Sequence, residues 1–140
     1  MHDKYEVSLR AIMKNKKGEF LLLTPRPESS LGGSFDFAGG RIEVSEFEVP
    51  LEKALKREIR EELGNIKYKL SNKPVALGKH KGSIDGTHIL FVFFEAKYIS
   101  GKIKLSNEHI AYDWVDISKI NIKKSFKSGN LEGIKMYLGK

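Results

Sequence analysis

The residues best suited to chemistry in this chain are three glutamates, Glu58, Glu61 and Glu62, spaced i, i+3 and i+4. On a helix that spacing gathers them in one arc, where like charges repel by roughly 0.2–0.5 kcal/mol per pair. With Glu58 at zero on a helical wheel, Glu61 falls at about −60° and Glu62 at about +40°. Leu51 lies at about 20° and Leu55 at about 60° on the same wheel. Glu62 therefore points into the apolar sector and Glu58 borders it. An ionised carboxylate leaving water needs a counter-charge or a proton. Arg57 stands at helical spacing from Glu61, but Glu58 and Glu62 have no basic residue so placed. A divalent cation is the remaining partner. Hard oxygen ligands in a short arc suit Mg2+ or Mn2+, with water and a substrate phosphate completing the shell. The plainer alternative is an acidic surface helix whose carboxylates are solvated.

The element that must carry these groups is a helix over Leu51–Leu63. Pro50 suits its first turn and Gly64 the position just past its end. Around it, Gly40, five residues, Glu46 and then Arg57-Glu58-Ile59-x-Glu61-Glu62-x-Gly64 resemble the Nudix box of the nucleoside diphosphate-X pyrophosphohydrolases. Upstream, Ser34-Phe35-Asp36-Phe37-Ala38-Gly39-Gly40 resembles that family's aromatic approach to the box, with Ala38 where the family has proline. The chain departs from the pattern in two further places. Glu46 and Arg57 enclose ten residues, three more than the family spacing, and Asn65 replaces an apolar residue.

The resemblance implies an α/β/α sandwich with a mixed sheet, and hydrolysis of a pyrophosphate bond in a nucleotide substrate. It implies that Glu58, Glu61, Glu62 and the Gly40 carbonyl hold Mg2+, with Mn2+ as the other candidate. Such an ion neutralises phosphate oxygens and makes water a better nucleophile. Arg57 is expected to pair with Glu46 and tie the loop to the helix, and Arg41 to contact phosphate. A carboxylate of the set, or Glu108, would accept the proton from water. Glu108 enters because Ser106 to Trp114 resembles the segment of several Nudix branches, dinucleoside tetraphosphate hydrolases among them, in which a glutamate approaches the metal. Its plainer reading is an exposed loop residue. Phe35 is a candidate wall for stacking a base, although aromatics before such a box are more often core. His80, His88 and His109 form no metal-ligand pattern and read as ordinary polar or packing histidines, His109 being the one most worth testing.

Composition bounds the rest. At 140 residues the chain is expected to be one domain, 1–140, long enough to bury a real core. It has no cysteine, so thiol and disulfide chemistry are out of reach. The longest apolar run, Ile89 to Phe94, is too short to span a membrane, no signal-peptide pattern is present, and a cytoplasmic location is expected. The net charge of +7 favours anionic partners, but the lysines are scattered, so polyphosphate ligands are expected rather than nucleic acid. Two substrate types stay open, a dinucleoside polyphosphate and a nucleoside triphosphate. The opposing class is a Nudix domain that binds nucleotide without turnover. The oligomeric state is open, a homodimer included.

Alternation at Val7, Leu9, Ala11 and Met13 predicts a strand, as does Phe20–Thr24. Beyond the helix, strands are expected at Ile66–Leu70 with a continuation at Pro74–Lys79, at Thr87–Tyr98 with both faces buried, and at Trp114-Val115. Asp116 is expected to cap a helical turn, and Asn130 to cap a helix running to Leu138.

Overall fold

The computed structural model describes residues 1–140. Its regular elements are β1 (Glu6–Lys14), β2 (Phe20–Pro25), β3 (Ala38–Arg41), α1 (Leu51–Leu63), β4 (Lys67–Lys81), β5 (His88–Ser100), β6 (His109–Val115), α2 (Ile122–Ser125) and α3 (Ser128–Leu138). The strands form one sheet in the order β4-β5-β1-β2-β6, with β3 laid antiparallel along β1. Because β1 runs parallel to β5 while its other pairings are antiparallel, the sheet is mixed.

The two periodicities of the sequence divide the core between the two faces of this sheet. Leu9, Ala11 and Met13 of β1 pack with Leu55, Ile59 and Leu63 of α1. Ile12, one step out of phase, joins Phe93, Phe126 and Ile134 on the face covered by α3. The apolar run of β5 is buried on both sides, Phe91 and Phe93 toward α3, Val92 and Phe94 toward α1. The result is the α/β/α sandwich expected from the resemblance. No helix is long and apolar enough to cross a membrane.

The structure adds to and corrects these expectations. Gly39 and Gly40 lie in a strand, β3, which the sequence reading did not assign. A Cβ on Gly39 would collide with the Leu9 carbonyl oxygen, so only glycine lets β3 lie this close to β1. Asn130 is not a cap: α3 begins at Ser128, and Asn130 sits inside it, fully buried. The strand expected at Trp114-Val115 begins at His109, drawn out by its pairing with β2. Leu51, on the apolar side of the wheel, is 42% exposed because it lies in the first turn, beyond the edge of the sheet core. Asp116 does cap a turn, accepting from the Ser118 N–H.

Between β2 and β3 the sheet forks. Leu23 and Asp36 exchange two backbone hydrogen bonds of 2.8 Å, after which the chain leaves β2 and joins β1. The fork puts Asp36, the first residue of β6 and the Gly39-Gly40 strand beside α1, and the candidate site lies there.

Candidate metal centre and cleft

Arg57 organises the exposed side of the acidic cluster. Its Nε and Nη2 donate to the two carboxylate oxygens of Glu46 at 2.7 and 2.6 Å, so the longer loop still returns Glu46 to the helix. The loop manages this with a short 3-10 turn at Val44–Glu46, in which Glu46 also accepts from the Glu43 N–H. Nη2 reaches Glu58 at 2.8 Å and Nη1 reaches Glu61 at 3.1 Å. Glu58, which has no basic residue at helical spacing, thus meets one at the adjacent position. Adjacent residues rarely meet on a helix, but the long guanidinium folds back across the turn. Hydrogen bonding to Arg57 holds the Glu46 carboxyl below its usual range, and the bond to Glu46 raises Arg57 in turn.

The buried side is built by the two glycines. The Gly39 N–H donates to Glu62 Oε1 at 2.8 Å, and a Cβ on Gly40 would collide with the Glu58 carboxylate. Glu62 is 4% exposed and touches no lysine or arginine, and burial pushes its carboxyl up to about 9. Burial also raises Glu58, with Arg57 pulling the other way and the charges of Glu61 and Glu108 adding to the rise. The expected division along the wheel is present: Glu62 is buried, Glu58 half-buried and Glu61 exposed.

Behind Glu62 lies a charged network that reading the sequence missed. Arg10 Nη1 donates to Asp36 Oδ1 at 2.6 Å, Asn130 Nδ2 to the same oxygen at 2.9 Å, and His109 Nε2 lies 3.0 Å from Asp36 Oδ2. Burial works to raise Asp36, but Arg10 and the His109 hydrogen bond outweigh it, leaving the carboxyl at about 2. The other nitrogen of His109, Nδ1, faces Glu62 Oε2 at 3.5 Å. The network thus joins sheet, α3 and acidic cluster. One signal for it was present: Arg10 stands in phase with the buried Ile12 of β1, where a charge must find a partner. His80 bridges the Ser30 and Ser128 hydroxyls, and His88 pairs with Asp3 at the surface.

Gly40, Arg41, Arg57, Glu58, Glu61, Glu62 and Glu108 all line one cleft of about 780 Å³, whose floor continues over Ser8, Arg10 and Phe91. Glu46 stands behind Arg57 and does not line it. Arg41 is held by Glu6 at 3.3 Å at the rim. Phe35 is not brought to the cleft. It packs on Phe126 with ring centroids 6.1 Å apart and borders a separate hollow with Lys124, because Phe35 and Asp36 point to opposite sides of the same extended segment.

These residues fit a hard divalent cation. Glu58, Glu61, Glu62 and Glu108 are among the carboxylates that line the cleft, Arg57 is the one arginine or lysine hydrogen-bonded to any of these four, and Gly40 brings backbone against Glu58 where any side chain would intrude.

A family description, NUDIX domain, matches residues 4–135. The chain belongs to the Nudix family. It is a hydrolase acting on phosphoric anhydride bonds. Solved structures similar to it include a MutT protein from Methanosarcina mazei Go1, 29% identical with a TM-score of 0.68, covering 85% of this chain and 82% of that one. The ORF135 protein of E. coli is 24% identical with a TM-score of 0.75 over 98% of this chain and 91% of its own. An Ap4A hydrolase from C. elegans is 21% identical, with a TM-score of 0.61 over 81% of each chain. The last two support the fold alone. No curated protein matches the sequence.

Proposed function

We propose that this Nudix hydrolase cleaves a pyrophosphate bond in a nucleoside diphosphate-X substrate, using Mg2+ or Mn2+. The observation that carries the proposal is the convergence of Glu58, Glu61, Glu62 and Glu108 on one cleft, where Arg57 is the one arginine that pairs with any of the four. Glu58, Glu61, Glu62 and the Gly40 carbonyl would hold the ion, which neutralises phosphate oxygens and lowers the pKa of water. Glu108, exposed at the mouth and free of ion pairs, takes the proton from the attacking water. Arg57 positions Glu58 and Glu61 from behind, anchored by Glu46. Arg41 exchanges its weak contact with Glu6 for a substrate phosphate, since both side chains are about half exposed and little is lost in parting them.

All the acids of the box are present, which favours turnover over silent binding. The substrate types proposed are dinucleoside polyphosphates, for which the similar Ap4A hydrolase offers a parallel, and nucleoside triphosphates, which rest on the Gly39-Gly40-Arg41 approach alone. The test is a substrate panel with Mg2+ or Mn2+, reading phosphate and nucleotide products. Nucleotide binding without turnover on every member would make the chain a binding module instead.

A further inference from the structure

We propose that His109 Nδ1, Glu62 and Glu108 form a nitrogen-containing metal site that takes a borderline cation such as Co2+ or Zn2+ in preference to Mg2+. The inference rests on the metal-dependent reading of this cleft and adds a ligand of a different kind to it. His109 is 7% exposed, and its Nδ1 has no hydrogen-bond partner. Its Nε2 is engaged by Asp36 Oδ2 at 3.0 Å, and Asp36 is itself fixed by Arg10 and Asn130. The ring therefore cannot turn without breaking that network. In the neutral ring, a proton on Nε2 leaves the Nδ1 lone pair bare.

That lone pair faces Glu62 Oε2 across 3.5 Å, and ligand atoms of Glu62, Glu108 and His109 all lie within 4.8 Å of one another. Two acceptor atoms held this close in a buried place share either a proton or a cation, and a cation that displaces the proton meets both of them already facing it. The arrangement has the form by which proteins prepare a ligating histidine, the far nitrogen donating to a carboxylate so that the near one is bare and aimed. The donor set also discriminates, because imidazole nitrogen suits a borderline cation such as Zn2+ whereas Mg2+ prefers oxygen.

The experiment titrates Co2+, Zn2+ and Mg2+ separately into the full chain, without substrate, for wild type and His109→Gln. The visible spectrum is followed for Co2+ and calorimetry for the others. The expected result is a low-symmetry Co2+ spectrum in the wild type, with Co2+ and Zn2+ affinity falling at least about tenfold in the variant while Mg2+ affinity changes less than about twofold. Because His109→Gln disturbs Asp36 and the variant could fail to fold, a second measurement uses the wild type alone: 15N resonances of the histidine rings, with and without Zn2+. A shifted His109 Nδ1 supports the site. An unshifted Nδ1 at saturating Zn2+ overturns it and leaves the metal to the carboxylates, with the proposed hydrolase reading intact. Failure of every cation to bind overturns both.

Discussion

Replacing Glu62 by Gln tests what the buried carboxylate does to the metal-free protein. Gln keeps an oxygen for the Gly39 N–H and nearly the same volume, but it cannot ionise. In the wild type, burial raises the Glu62 carboxyl from its ordinary 4.5 to about 9. Between those values the folded chain holds a proton that the unfolded chain has released. The contribution to stability is therefore complete below pH 4.5 and is lost as pH climbs toward 9. At about 1.36 kcal/mol per unit, the full span sets a ceiling of about 6 kcal/mol. Water drawn toward an ionising carboxylate relaxes much of this, so a loss of about 2 kcal/mol from pH 5.5 to pH 8.5 is the expected minimum. The assay is urea unfolding in chelator across that range. Glu62→Gln should match the wild type at the acid end and exceed it at the alkaline end. Mg2+ or Mn2+ at about a hundred times its Kd should then return about 2.7 kcal/mol to the wild type and much less to the variant. Parallel pH profiles, or equal stabilisation by metal, would refute the reasoning.

Other expectations follow from the same contacts. A double-mutant cycle on Arg57→Ala and Glu46→Ala should give a coupling of about 1.5–3 kcal/mol by unfolding, as for charge-assisted bonds in a partly buried pair. No coupling would mean that Glu46 does not anchor the helix. Glu108→Gln should lower kcat at least about tenfold, roughly 1.4 kcal/mol of barrier, with little change in Tm, and a kcat within about twofold would leave Glu108 a surface residue. Asp36→Asn should destabilise by about 3 kcal/mol in thermal or urea unfolding, because Arg10, its side chain 12% exposed, loses its counter-charge. The depressed Asp36 carboxyl also predicts acid sensitivity. Its contribution of roughly 2 kcal/mol is present above pH 3.8 and lost as pH falls through about 2, and the loss should vanish in the variant.

The helix and its acids were legible because helical periodicity and carboxylate spacing are both local. Leu55, Ile59 and Leu63 define a face, and Glu62 on that face announces a burial cost that only a partner can offset. The strands β1, β2 and β5 were legible for the same reason. What could not be seen were features defined by two distant segments. β3 is a strand because Gly39 can approach Leu9, a property of absent side chains that a strand preference reads as a loop. Asn130 has the composition of a cap, yet its side chain satisfies Asp36, which is 94 residues away in sequence. Phe35 and Asp36 were legible as a pair of side chains, but not which of them would face the cleft, since a single step in register exchanges the two.

The longer loop between Glu46 and Arg57 shows how the site tolerates such departures. Closing a slightly longer loop costs only a few tenths of a kcal/mol in chain entropy, because the dependence on length is logarithmic. A two-pronged guanidinium–carboxylate contact contributes more than that, so the pair forms across the longer loop. Phe47, the first residue of that loop, is 91% exposed, as a side chain is when loop closure and not burial decides its place. The acidic arc depends on the helix and on the Gly39-Gly40 strand, and both are in place with ten residues between Glu46 and Arg57. Its geometry is therefore set by α1 and β3, and the length of the loop between them is free to vary.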